Sequence, residues 1–134
     1  MADLAEKLAI FLRAIADEPV EWGRNDCSAA PQRWLVENGI AADLPFYNSR
    51  NEAHAIIAHH GSLVATWDWC LRKDPLPTRY DAPRLGDIAV VNTRLYGQIG
   101  GIVAEGGILV IRKDDGGLHW FGPVRRFEKV WAVS

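Results

Sequence analysis

The sequence predicts an α+β fold, with helices first and an antiparallel sheet second. Two observations carry this. Apolar residues in the first half recur at helical spacing, as in Leu4, Leu8, Phe11 and Ile15. From Gly86 onward the pattern changes to short β-branched runs separated by tight polar connections. Helices followed by hairpin-connected strands is the α+β order, not the alternating order of a parallel sheet.

The elements follow in turn. Residues 3–16 read as an amphipathic helix ended by Asp17-Glu18-Pro19. Trp22 to Asp26 is a loop. Asp26 or Cys27 caps a second helix that carries Trp34, Leu35 and Val36 and stops at Asn38-Gly39. Pro31 fits its first turn, where a missing N–H costs little. Asp43 to Arg50 is irregular. Asn51 caps a third helix, Glu52 to His60, and Ser62 a fourth, Leu63 to Arg72, with Gly61 breaking the two. Residues 74–84 hold three prolines and form a crossover loop. Five strand candidates follow: Ile88–Val91, Ile99–Ala104, Ile108–Ile111, Leu118–Phe121 and Phe127–Val133. The short connections between them suit a simple meander.

At 134 residues the chain has the length of one domain, expected over residues 1–134. A net charge of −2 supplies no basic field, so nucleic acid is not an expected partner. The six tryptophans are many for this length and belong to a core or an interface. Two cysteines, Cys27 and Cys70, make no disulfide framework, and reduced thiols are the expectation. No signal peptide is evident, and no run approaches the roughly 20 apolar residues of a membrane span. The expected product is a soluble chain made in the cytosol.

Cys27 is the residue with the most chemistry. It stands where a loop enters a helix, and the free N–H groups and dipole of a helix start favour a thiolate. The functional reading is a nucleophile. The alternative is a small buried helix residue, since free cysteine is among the most buried types. No Cys-x-x-Cys or His-Glu-x-x-His spacing suggests a metal site, and no cofactor is expected. His54 and His59 are five apart, share no helical face, and read with His60 as surface residues.

The motifs resemble the NlpC-type branch of the papain-like cysteine hydrolases. Asp26-Cys27-Ser28 is similar to that branch's Asp-Cys-Ser nucleophile motif. Gly86-Asp87-Ile88-Ala89 resembles its Gly-Asp-Leu-hydrophobic first strand. Gln98-Ile99-Gly100-Gly101-Ile102 resembles its His-Val-Gly-Ile strand. A closer resemblance, over nearly the whole chain, is to short proteins encoded by tailed bacteriophages and prophages. These share the Trp-Gly-x-x-Asp-Cys opening and a terminal strand like Val130-Trp131-Ala132-Val133.

The resemblance implies a papain-like fold with Cys27 as nucleophile or its relic and Gln98 in the place of the catalytic histidine. Glutamine hydrogen-bonds but exchanges no proton near neutral pH. His119 is the one imidazole of the strand half. A meander places it two strands beyond Gln98, about 10 Å away, as a substitute base. Trp22 stands where the relatives carry a tyrosine near the oxyanion, or simply covers the helix. Asp87 binds backbone where the first strand begins, or makes a turn with Gly86. Arg112 falls near the third polar position, where it could pair with a carboxylate but has no histidine to orient. Gly97, Gly100 and Gly101 mark either local bulging or a ligand or partner packed closely over their strand. The implied role is a phage tail-tip component in the virion, made in the host cytoplasm, with hub, distal tail or fibre proteins as partners. Its peptidase chemistry would be lost or altered. The alternative is an active hydrolase that cuts peptidoglycan crosslinks during infection.

Overall fold

Four helices and a five-stranded antiparallel sheet make up the computed structural model, which describes residues 3–134. The α+β expectation holds. Helix α1 spans Leu4–Asp17. Asp3 caps it, its side chain accepting from the Glu6 N–H at 2.7 Å. Its buried stripe is Leu8, Phe11, Leu12 and Ile15. Helix α2 spans Ala29–Glu37 and begins two residues beyond Cys27. Helix α3 spans Arg50–His60, and α4 spans Leu63–Cys70, two residues short of the expected Arg72. Ser49, not Asn51, caps α3. Its hydroxyl accepts from the Glu52 N–H, and Glu52 reaches back to the Asn48 N–H. This is a Ser-x-x-Glu reciprocal cap, a signal already present in the sequence.

The strands are β1 Ile88–Thr93, β2 Gly97–Val103, β3 Leu109–Arg112, β4 Leu118–Phe121 and β5 Lys129–Trp131. Their spatial order is β4-β3-β2-β1-β5. This corrects the simple meander. Strands β1 to β4 follow it, but the last strand returns to the free edge of β1. The reason is burial. Ile88 to Val91 are buried on both faces, so β1 belongs inside the sheet with a partner on each side. Residues 77–79 of the crossover loop lie along β5: Arg79 N–H donates to the Val130 carbonyl and Ala132 N–H to the Pro77 carbonyl.

The main core lies between helices and sheet. It joins Phe11 and Ile15 of α1, Trp34 and Leu35 of α2, Trp67 of α4, and Ile88, Val90, Ile102 and Trp131 of the strands. Three tryptophans thus serve the core rather than a partner surface. Each buried indole N–H has an acceptor: the Gly86 carbonyl for Trp34, Ser28 Oγ for Trp67 and an Asp68 carboxylate oxygen for Trp131. A smaller cluster on the far face of the sheet packs Ala89, Val91, Val103 and Val130 against Val124 and Phe127.

Gly100 explains the glycine-rich strand. A Cβ there would overlap the ring of Trp67. The close approach is made by α4 of the same chain, so no bulge or outside ligand is needed to account for this glycine.

Candidate functional site

A cavity of about 690 Å³ opens between the Trp22–Ser28 loop, α3 and the sheet. Six of the seven residues singled out from the sequence line it: Trp22, Asp26, Cys27, Gln98, Arg112 and His119. The seventh, Asp87, does not. It is fully buried elsewhere, paired with Arg79 at 2.7 Å and accepting from the Arg84 and Val133 N–H groups. Asp87 therefore fastens the chain terminus and the crossover loop to the start of β1, a larger role than a turn with Gly86.

The loop that carries Cys27 is built around Asp26. The Asp26 carboxylate accepts from the N–H groups of Gly23 at 2.6 Å, Ser28 at 3.0 Å and Ala29 at 3.2 Å. The Tyr47 hydroxyl donates to it as well, at 2.8 Å to one oxygen and 2.9 Å to the other. Gly23 takes φ of +86°, and a Cβ there would collide with the Tyr47 carbonyl. The neighbouring Asn25 side chain ties the loop inward, accepting from the Glu21 N–H and donating to the Pro19 carbonyl. The Trp-Gly-x-Asn-Asp-Cys string is thus a self-bonded loop that holds a carboxylate at the start of α2.

This arrangement bears on the helix-start N–H groups beside Cys27. The free N–H groups of the helix start are taken by Asp26, so they are not offered to sulfur. Cys27 is half-buried on the cavity wall. Burial pushes its thiol up to about 12, and the Asp26 and Asp114 carboxylates add to the shift. Burial likewise raises Cys70, to about 11.

Gln98 also has a structural task. Its side-chain oxygen accepts from the Val64 N–H at 3.2 Å, in the first turn of α4. Arg112, which could have paired with a carboxylate, meets main chain. Only 3% exposed, it donates to the carbonyls of Ile15, Glu18 and Gly117 and so closes the C-terminal end of α1. Its Nε is buried without a partner among the described residues.

Two residues of the site lay beyond sequence reasoning. Tyr47 is 21 positions from Asp26, in an irregular segment with no motif. His54 projects from α3, which has no buried residue of its own, yet it lines the same cavity as Cys27 and His119. Nothing in the local pattern marks which exposed helix position faces a cavity. Two ion pairs border the cavity, Arg50 with Asp114 at 3.9 Å and Lys113 with Asp115 at 3.7 Å. Both pairs are largely exposed and contribute little to stability. Among the described residues, no three His, Cys, Asp or Glu side chains are grouped as a metal-ligand set. None of the described helices is long and apolar enough to cross a membrane.

Comparison with known proteins gives the family. No curated protein matches the chain. A family model described as "Domain of unknown function (DUF6950)" matches residues 1–133, and the chain belongs to that family.

Proposed function

We propose that this chain is a component of a bacteriophage or prophage tail tip, built on an NlpC-like scaffold that has lost hydrolytic chemistry and serves as an interaction module. The phage setting rests on the resemblance of its motifs. The loss of chemistry rests on one observation: Cys27 is partly buried beside a hydrogen-bonded Asp26 carboxylate, and burial first and that charge second oppose its ionisation. A thiol hydrolase needs a thiolate to attack and an acid to protonate the leaving amine. The Gln98 amide supplies no such proton. The half-buried Trp22 at the cavity and the exposed Leu95 and Tyr96 of the β1–β2 hairpin suit contact with neighbouring tail proteins.

The second reading is a peptidoglycan-cutting cysteine hydrolase. It is favoured by one observation, that His54 and His119 line the same cavity as Cys27. Deletion of the gene from a producing phage separates the two readings. The structural role predicts that complete tails fail to assemble. Normal tails that adsorb but do not breach the wall, together with release of peptides from purified peptidoglycan by the isolated chain, would establish the hydrolase.

A further inference from the structure

A second cavity, of about 360 Å³, runs along α2. Ala29, Gln32, Arg33, Val36 and Glu37 line it, spaced as one face of the helix. The core residues Ala30, Trp34 and Leu35 occupy other positions of the same helix. Gly23, Arg24, Ala42 and Leu44 complete the lining, and none of these residues lines the cavity at Cys27. The segments around this space are held in place. The Gly23 N–H donates to Asp26 at 2.6 Å. The Ala41 N–H donates to the Asp74 carboxylate at 3.0 Å, and the Asp43 N–H to the Cys70 carbonyl at 2.8 Å, which ties residues 41–43 to the end of α4 and the turn after it. A cavity between fastened segments is preformed, as ligand sites usually are.

Gln32 is the anomaly of this wall. It is only 3% exposed, and neither its Nε2 nor its Oε1 has a hydrogen-bond partner among the described residues. A buried amide with both ends unmet is costly, and folded chains keep few of them. The buried Asn25 shows the ordinary case, its amide accepting from the Glu21 N–H and donating to the Pro19 carbonyl. Because no hydrogen bond restrains the Gln32 amide, its side chain has torsions left to turn.

We infer that the α2 cavity is a ligand site for a neutral carboxamide carried on an apolar body, whose amide pairs with the Gln32 side chain as that side chain turns outward from the wall. A glutamine presents one donor and one acceptor side by side, and another amide answers both at once. Ala29, Ala42 and Leu44 give the ligand apolar surroundings, and Val36, 57% exposed, gains burial when the space is filled. Each cation at the edge already has a carboxylate. Arg33 meets Glu18 through two hydrogen bonds, at 3.0 and 3.2 Å, and Arg24 meets Glu21 at 3.4 Å. Glu37 adds a negative charge beside them. The balance favours a neutral amide over a carboxylate or a phosphate. The site stands under either reading of the Cys27 cavity, since the two share no residue.

The test titrates the intact, isotope-labelled chain with benzamide and follows the Gln32 side-chain NH₂ signals by NMR. These signals should shift and saturate. Benzoate and methyl benzoate keep the ring but lack the amide donor, and should bind at least five-fold more weakly. Gln32→Met keeps the length of the side chain and removes the amide. It should melt no lower than the unaltered chain, because the unmet groups are gone, and should lose at least five-fold in benzamide affinity. N-acetyl-asparagine methylamide separates the sources of the ligand. Binding tighter than that of benzamide names a protein side chain, weaker binding names a free small amide, and either upholds the site. Signals that do not move with any of these amides overturn the inference. Equal binding of methyl benzoate, or full binding by Gln32→Met, overturns it as well, leaving only an apolar hollow. A melting point several degrees lower in Gln32→Met means that a buried water already satisfies the amide, and that too overturns it. If the variant does not fold, the ligand series on the unaltered chain decides.

Discussion

The Tyr47 hydroxyl bridges both carboxylate oxygens of Asp26, at 2.8 and 2.9 Å, in the buried wall behind Cys27. Burial raises the Tyr47 phenol above its ordinary range and the adjacent carboxylate holds it protonated, which keeps it a donor. Tyr47→Phe leaves a buried carboxylate short of one donor. The expected loss is about 1–3 kcal/mol of stability, read from urea denaturation. An unchanged midpoint would mean that water replaces the hydroxyl at no cost.

Burial holds the proton on Cys27, and the Asp26 charge adds to it. The intact chain should react with iodoacetamide at Cys27 at least ten-fold more slowly than free glutathione at pH 7.5, with the labelled site identified by mass spectrometry. Asp26→Asn removes the neighbouring charge and should speed labelling. The measurement is made alongside circular dichroism, so that a gain through unfolding is recognised by simultaneous labelling of the buried Cys70. A wild-type Cys27 that outpaces glutathione would refute the protonated-thiol assignment.

Gln98→His does not create a hydrolase by itself. The new imidazole would face a thiol still held protonated by burial and Asp26. It would also remove the acceptor of the Val64 N–H, at a cost of about 1 kcal/mol. The expected outcome is a slightly less stable chain with no release of peptides from peptidoglycan. Turnover by this single variant would show that only the base was missing.

Alkaline pH should destabilise the fold. The Cys27 thiol titrates near 12 when folded and near 8.5 in an unfolded chain. Between these values the folded state holds the extra proton, so stability falls as pH rises. The contribution is full below about pH 8.5 and is lost progressively toward pH 12. Cys70, raised to about 11, has the same sign. A Cys27→Ala variant should lose less stability between pH 8 and 10 than the wild type, as measured by denaturant midpoints. Parallel curves would remove the Cys27 term.

Gly100→Ala places a methyl group against the Trp67 ring. Overpacking of a rigid aromatic against backbone should cost about 1–3 kcal/mol, seen as a lowered thermal midpoint. A neutral effect would mean that α4 can retreat from β2.

The sequence by itself determined the elements and their class. Periodicity marks α1, the prolines of residues 74–84 mark the crossover, and β-branched runs mark the strands, because each signal is local. It also brought six residues of one cavity to notice, through short motifs that hold loop geometry. What only the tertiary structure decided depends on groups far apart in the chain. The return of β5 to β1, the Tyr47 hydroxyl on Asp26 and the Gln98 cap on α4 all join distant segments. The meaning of Cys27 changed for the same reason. Its place in the sequence suggests a helix dipole acting on sulfur, but in the fold Asp26 takes the helix N–H groups and burial keeps the proton on the thiol.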